Sequence, residues 1–148
     1  MLKVFFDRYT SISPETISIV ERELNIWFPE AFRDMIQKYN GGRFNEYICF
    51  KEFNEDFAMD RLLNFDKEAF DYIVAYNQPC FDHYIKDIIF FATTTDGSFI
   101  GFDYRFSSDK PSIILRLKDD EYLADNEVSI IASSFLEFLN MLTLDKYE

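Results

Sequence analysis

The sequence predicts a single α+β domain in which a mainly antiparallel meander sheet packs against N-terminal, central and C-terminal helices. Apolar residues at helical spacing are clearest near both ends of the chain, and strand-like runs fill most of the second half. No repeat, low-complexity tract or linker divides residues 1–148. With 48% hydrophobic residues, a chain of 148 residues is long and apolar enough to bury one core.

Two helices are predicted before residue 43. Ser13 is placed to cap the first helix, Pro14 fits its first position, and we expect it to end near Asn25. The second helix begins at residues 28–30 and is expected to end at residues 40–42, Asn-Gly-Gly, where Gly41 or Gly42 should take a positive φ. Its apolar stripe at i, i+3, i+4 and i+7 consists of Phe32, Met35, Ile36 and Tyr39.

The period of the sequence changes after the two glycines. Residues 47–53 are rich in aromatic and β-branched side chains and are predicted to form a strand, followed by an acidic connection. Residues 66–76 are predicted to form a third helix that Asp66 caps and that Pro79 prevents from continuing far. One face of that helix carries Phe70, Ile73 and Val74.

The second half contains the clearest strand signals and the last helix. Residues 88–92 are a continuous apolar run, and the Asp96-Gly97 pair that follows is typical of a hairpin bend. Further strands are predicted at residues 99–103, 112–117 and 128–131. Ser134 and Glu137 match a capping box that opens a helix. The apolar stripe of this helix consists of Phe135, Phe138, Leu139 and Leu142.

The charge of the chain favours a protein partner over a nucleic acid. Fifteen basic and 27 acidic residues give a net charge of −12. A negative field repels phosphate backbones, so direct nucleic-acid binding is not expected, whereas a basic protein would be attracted. The alternative is that the charge only keeps a chain with 18 Phe and 9 Tyr soluble, and composition does not decide between the two.

Cysteine usage and the N-terminus predict a cytoplasmic protein. Cys49 and Cys80 lie in no metal-binding spacing, and we expect both to be buried as small hydrophobic residues rather than joined in a disulfide. Residues 1–8 lack the apolar length and the small-residue cleavage site of a signal peptide. No stretch reaches the length of a membrane span, so no membrane association is expected.

Several segments, taken in order, carry a family resemblance. Residues 21–32 read Glu-x-Glu-Leu-Asn-Ile-x-Phe-Pro-Glu-x-Phe, and residues 39–42 read Tyr-Asn-Gly-Gly. Residues 88–103 match a hairpin pattern, and residues 130–139 contain Ser-Phe-x-x-Phe-Leu. This ordered set resembles the SMI1/KNR4 family of the SUKH superfamily. Phe28 stands where the family usually has Leu, and residues 54–85 show little of the family pattern.

The resemblance implies a protein-binding module. Many bacterial members of the superfamily are immunity proteins that neutralise a toxin, often a nuclease with a basic active-site region, and fungal members resemble signalling and cell-wall regulators. The preferred prediction is an immunity protein that binds a basic toxin domain. The alternative is a regulatory or scaffold protein without a toxin. Five residues match the family pattern and are interpreted as determinants of the fold: Pro29, Asn40, Gly41, Gly42 and Gly97.

Catalysis is the least favoured function. His83 is the single histidine, so the chain offers no histidine pair, no catalytic triad and no His/Cys metal set. Gly97 and Gly101 do not form a phosphate-binding loop, because no Lys-Ser/Thr follows them. We therefore expect no enzymatic activity, no metal and no cofactor.

Two acidic clusters are the candidate partner-binding sites. The first has five acids and no base between residues 119 and 127, and its candidate residues are Asp119, Asp120, Glu121, Tyr122, Asp125 and Glu127. Such carboxylates can mimic nucleic acid or clamp Lys and Arg, and an aromatic side chain can anchor the complex. The alternative is a solvated loop. The second cluster consists of Glu52, Glu55, Asp56 and Asp60.

Overall fold

A computed structural model describes residues 5–46, 48–118 and 128–144 of the chain. Within these ranges the fold is a single α+β domain with a mainly antiparallel sheet, as the sequence predicts. The elements, in chain order, are β1 Phe6–Thr10, α1 Pro14–Leu24, α2 Glu30–Tyr39, β2 Asn40–Phe44, β3 Ile48–Glu52, β4 Glu55–Leu62, α3 Ile73–Tyr76, β5 Ile88–Thr94, β6 Phe99–Asp103, β7 Ser112–Arg116, β8 Ser129–Ala132, α4 Phe135–Met141 and β9 Thr143–Leu144.

The strands lie in the order β1-β2-β4-β5-β6-β7-β8, so β4 to β8 form the predicted meander. Every pairing between named strands is antiparallel. The long strand β4 belongs to two ladders: its first half pairs with β3, and its second half pairs with β2 and β5. Strand β3 also pairs with β9, so the β3–β4 hairpin is attached to the main sheet through β4.

The two N-terminal helices form where the sequence predicts them. Ser13 accepts a hydrogen bond from the backbone N–H of Thr16, and Asn25 ends α1 in the left-handed conformation at φ +57°. The α2 stripe faces the core, with Phe32 fully buried. The chain passes directly from α2 into β2, and Gly41 takes the predicted positive φ, at +64°.

Helix α4 begins at its predicted cap. The Ser134 side chain accepts a hydrogen bond from the N–H of Glu137. The Glu137 carboxylate in turn accepts bonds from the backbone N–H and the hydroxyl of Ser133, one residue before the cap. Phe135 and Phe138 are buried against the aromatic core between α2 and the sheet.

The expected acidic connection after residue 52 is wrong, because residues 55–62 form strand β4. Phe57 and Met59 alternate with more exposed residues, and their burial in the core decides the conformation despite the acids between them. Strands β1, β2 and β9 are likewise elements that the sequence reading does not predict. They lie at or near sheet edges, where period-two patterns are weak.

The predicted third helix over residues 66–76 is wrong except for its last turn, Ile73–Tyr76. Asn64 accepts a backbone bond from Ile73 N–H at 2.7 Å and donates one to the Asp71 carbonyl at 2.9 Å. These bonds hold the intervening segment in turns, and Phe70, which was expected on the buried face, is 79% exposed. Asp66 stabilises a local turn by accepting the N–H of Glu68.

The family-pattern residues have structural contacts near the α2–β2 junction. Asn40 is buried; its amide donates to Thr10 Oγ1 at 3.0 Å and Asn64 Oδ1 at 2.9 Å, and its oxygen accepts the N–H of Phe65 at 2.8 Å. A Cβ on Gly41 would lie 2.6 Å from Asn64 Nδ2. Pro29 immediately precedes α2. These contacts support a role in determining the fold.

The cysteines fit their prediction only in part. Both thiols are free, and Cys49 is buried in β3 as expected. The expectation that Cys80 is buried is wrong, because it lies exposed in the turns between α3 and β5. No helix in the described part of the chain is long and apolar enough to cross a membrane.

Candidate protein-binding surface

The end of the β3–β4 hairpin brings together three of the predicted site residues. The two strands are joined by a two-residue turn, Phe53-Asn54, and Glu52 pairs directly with Glu55 across it. Asp56 follows, opposite Lys51. Glu55 and Asp56 are exposed and Glu52 is half-exposed, so three carboxylates surround the turn. We refer to residues 51–56 as the acidic hairpin tip.

The buried aromatic side chains of this hairpin determine how its two strands pair. Phe50 and Phe57 face each other across the strands, both are buried, and their rings stack with centroids 5.3 Å apart. Phe138 of α4 packs on Phe50 at 5.6 Å. Because side chains alternate along a strand, burying this pair fixes the register, and Lys51 and Asp56, on the turn side of the pair, point outward and are exposed.

The turn itself has an unusual residue in a costly conformation. Phe53 has φ +55° and Asn54 has φ +59°, which is the sign that a type I′ turn requires at both central positions. Asn tolerates this conformation, but an aromatic residue is disfavoured there by contact between its Cβ and the backbone. The Phe53 side chain is 50% exposed at the centre of the acidic tip.

Asp60 does not belong to the acidic hairpin tip. It lies four residues beyond Asp56 on β4, roughly 13 Å away at the rise of a strand. One of its carboxylate oxygens lies 3.2 Å from Arg61 Nε and accepts a 3.3 Å bond from the Thr93 hydroxyl. Its charge is therefore compensated within the fold.

The first acidic cluster lies outside the described residues. This holds for each of its candidates, Asp119, Asp120, Glu121, Tyr122, Asp125 and Glu127. The strands on either side of it, β7 and β8, are neighbours in the sheet. The role predicted for this cluster stays a prediction.

His83 is held as part of an aromatic cluster. It lies in the turns before β5, as expected, and its ring stacks on Phe99 with centroids 4.2 Å apart. Its Nε2 lies 2.6 Å from the Tyr76 carbonyl oxygen. Burial lowers the pKa of His83 below its ordinary value, against a smaller opposing effect of that bond. Across the described ranges, no three His, Cys, Asp or Glu side chains group as metal ligands would.

Sequence reasoning missed two exposed aromatic residues, one in the β3–β4 turn and one in the loop between α1 and α2. Phe53 was counted as the end of a strand, and Trp27, which is 72% exposed, was not considered. The signals were present. Phe53-Asn54 separates two runs that contain apolar residues, and Trp27 is the one tryptophan of the chain, set between the apolar Ile26 and Phe28.

The chain matches a model of a known protein family. The family model SUKH_6, described as SMI1-KNR4 cell-wall, matches residues 14–139. The match runs from the start of α1 into α4 and includes the hairpin tip. No curated protein matches the chain.

Proposed function

Because this chain belongs to the SMI1/KNR4 family, we propose that it is a protein-binding module, and specifically an immunity protein that neutralises a basic toxin domain by direct contact. The acidic hairpin tip forms part of the contact surface. The protein has no catalytic role in this proposal and acts by covering its partner. A nuclease-type toxin fits best, because its nucleic-acid-binding surface is basic and the chain carries a net charge of −12.

The observation that carries the proposal is that the hairpin tip retains features that oppose folding. Phe53 occupies a left-handed conformation that costs a non-glycine residue about 1–2 kcal/mol. Glu52 and Glu55, directly opposite each other, repel. Such local conflicts are typical of functional sites, where binding rather than stability determines the residues.

The arrangement suits a complex with a basic surface. Carboxylates guide a positively charged partner during encounter, and their effect is largely on the association rate. An exposed aromatic ring at the centre of the charges can then be buried in the complex, where aromatic anchors contribute most of the binding energy. Phe53 is held by a short hairpin turn, so little conformational entropy is lost when it docks.

A regulatory or scaffold protein of the same family is the second candidate. It is favoured by the same surface, since an acidic tip with an aromatic anchor serves any basic partner equally well. The two functions differ in the partner and not in the chemistry of the site. Co-purification with the product of a neighbouring toxin gene would support immunity, and its absence, with capture of a conserved housekeeping protein, would support the regulator.

The experiment measures association and dissociation rates with the candidate toxin over a range of salt concentrations. Reversal of Glu52, Glu55 and Asp56 to Lys should slow association by about tenfold or more at low salt, with the difference shrinking as salt screens the field. The matched control reverses three exposed acids elsewhere, Asp34, Glu68 and Asp82, and changes the net charge by the same amount.

The outcomes separate the two acidic clusters. If both triple variants slow association equally, only the overall charge matters and the hairpin tip is not the contact. Reversal of Asp119, Asp120 and Glu121 to Lys then tests the remaining cluster. Phe53→Ala should raise the dissociation rate with little change in association, because a buried anchor acts after encounter.

A further inference from the structure

The loop between α1 and α2 holds Trp27 outside the core on a fixed backbone. Ile26 N–H donates to the Glu21 carbonyl at 3.1 Å, and Phe28 N–H donates to Glu21 Oε2 at 2.8 Å. The Tyr104 hydroxyl donates to the Trp27 carbonyl at 2.7 Å. The backbone on each side of Trp27 is thus bonded to the fold, while its side chain is 72% exposed.

A surface pocket of about 280 Å³ lies beside this tryptophan. It is formed by the last two turns of α1 and the start of the loop, and its walls are Ser18, Glu21, Arg22, Asn25, Ile26 and Trp27. A volume of this size admits one large side chain of a partner, although it is below that of most drug-sized ligand sites. The pocket is separate from the acidic hairpin tip, since none of its residues lies on β3 or β4.

Glu21, one of the wall residues, has a buried carboxylate oxygen without a hydrogen-bond donor among the described residues. The residue is 3% exposed, and its Oε2 holds the Phe28 N–H. Its other oxygen, Oε1, is buried and receives no hydrogen bond from any residue in the described ranges. The Tyr104 hydroxyl donates to the Trp27 carbonyl instead. A buried carboxylate oxygen without a donor is costly and uncommon in native proteins.

The surrounding charges determine which kind of group fits. Arg33 Nε lies 3.4 Å from Glu21 Oε2 and compensates the carboxylate, and Arg22 forms part of the wall. A cation would therefore meet Arg22 and a carboxylate that Arg33 already compensates, and would gain little. An anion would meet the unpaired Oε1. A neutral group that donates one hydrogen bond avoids both penalties, and an aromatic body would match the indole of Trp27 and the side chain of Ile26.

We propose that this pocket binds a tyrosine side chain of a protein partner, with the phenol O–H donating to Glu21 Oε1 and the ring packed against Trp27. The inference rests on the proposed function only in that the tyrosine belongs to a bound protein. Arg22 and Trp27 have exposed side chains, so they can turn to admit the phenol without disturbing the core.

The test uses N-acetyl-tyrosinamide as the probe and N-acetyl-phenylalaninamide, which lacks only the hydroxyl, as its matched control. The chain has one tryptophan, so its indole N–H gives a single reporter signal in a ¹H–¹⁵N NMR titration. The tyrosine amide should shift that signal saturably and bind about tenfold more tightly than the phenylalanine amide, because the bond to a carboxylate is charge-assisted. Equal affinities, or no saturable shift, would overturn the proposal.

Two variants locate the binding. In Glu21→Gln the amide oxygen can still accept the Phe28 N–H, and the preference for tyrosine should fall below about threefold because the anionic acceptor is gone. Ser18→Phe should fill the pocket and abolish binding of both amides, whereas Ile19→Phe adds the same ring at an exposed position outside the pocket and should leave binding unchanged. Binding that survives Ser18→Phe places the probe elsewhere and contradicts the proposal.

This test is independent of the toxin. Failure of the amides to bind leaves the acidic hairpin tip untouched, and failure of the tip variants to affect complex formation leaves the pocket result standing. Once a partner is identified, Trp27→Ala should weaken its binding about tenfold or more if the pocket receives an anchor residue.

Discussion

Two hairpins of the same sheet show opposite relations between sequence and conformation. At the β5–β6 bend, Gly97 takes the left-handed conformation at φ +88°, and Thr94, Asp96 and Ser98 bond one another around it. At the β3–β4 bend, the left-handed positions are filled by Phe53 and Asn54, and two glutamates face each other. The β5–β6 bend has a glycine where the backbone is left-handed, whereas the β3–β4 bend has two residues with side chains there.

The difference is what we expect if the β5–β6 bend serves the stability of the fold and the β3–β4 bend serves the proposed binding of a partner. The strands of the β5–β6 hairpin lie in the core, with Phe90, Ile100 and Phe102 fully buried. In the β3–β4 hairpin, by contrast, the residues next to the turn are exposed or half-exposed on both strands. A bend that stabilised the fold alone would carry Asn-Gly or Asp-Gly. Variants of the two hairpins therefore separate effects on stability from effects on binding.

The largest effect is expected in the core hairpin. Phe102 packs against Phe32 and stacks on Phe91 with centroids 4.4 Å apart. Phe102→Ala should lower the free energy of unfolding by about 3–5 kcal/mol, because it leaves a cavity among packed rings. Chemical denaturation measures this change, and a loss under about 1 kcal/mol would contradict the assignment of this hairpin to the core.

Replacing the glycine of the core bend should have the next largest effect. Gly97→Ala places a Cβ in the left-handed conformation and 2.7 Å from the Lys118 side chain. We expect a loss of about 1–2 kcal/mol in the free energy of unfolding. The Lys118 side chain is flexible and can move away from the new Cβ. A loss of unfolding free energy well above this range would therefore mean that the strained φ is not the main cost of the substitution.

Placing Asn-Gly in the turn of the acidic hairpin tip should stabilise the protein. The double variant Phe53→Asn with Asn54→Gly gives the β3–β4 turn the sequence that its φ values favour. The free energy of unfolding should rise by about 0.5–1.5 kcal/mol, while partner affinity falls about tenfold or more. A variant that is more stable and binds normally would remove Phe53 from the interface.

The smallest effect concerns the two facing glutamates. Glu52→Gln removes the repulsion with Glu55 and should raise the free energy of unfolding by about 0.3 kcal/mol at low salt. The gain should disappear near 1 M salt, where the screening length is about 3 Å. A gain that persists at high salt would point to packing of the side chain instead of charge.

The same contrast explains what the sequence could predict. Helices α1, α2 and α4 and the β5–β6 hairpin are specified by local signals, such as Ser13, Ser134 and Asp96-Gly97, that agree with the tertiary structure. The prediction of the third helix failed because Asn64, just before its expected start, takes the backbone hydrogen bonds of Asp71 and Ile73. The apolar spacing of the segment does not show that these backbone groups bond to a residue outside it.

The candidate site was predicted in part for a related reason. Glu52, Glu55 and Asp56 were recognised by charge, and the fold places them together. Asp60 was grouped with them because it is close in sequence. In the fold, Arg61 compensates its charge and the Thr93 hydroxyl donates a hydrogen bond to it. Phe53 was missed because exposure of an aromatic residue, and the sign of its φ, depend on where the strand ends.

The pairing of β3 with β9 bears on how the protein is completed during synthesis. Ile48 of β3 pairs with Leu144 of β9. This edge of β3 therefore stays unpaired until a segment about a hundred residues later has left the ribosome. Until then the main-chain N–H and C=O groups on that edge of β3 can pair with another chain. The base of the hairpin is thus completed late, whereas its tip, residues 51–56, pairs only between β3 and β4 and can form earlier.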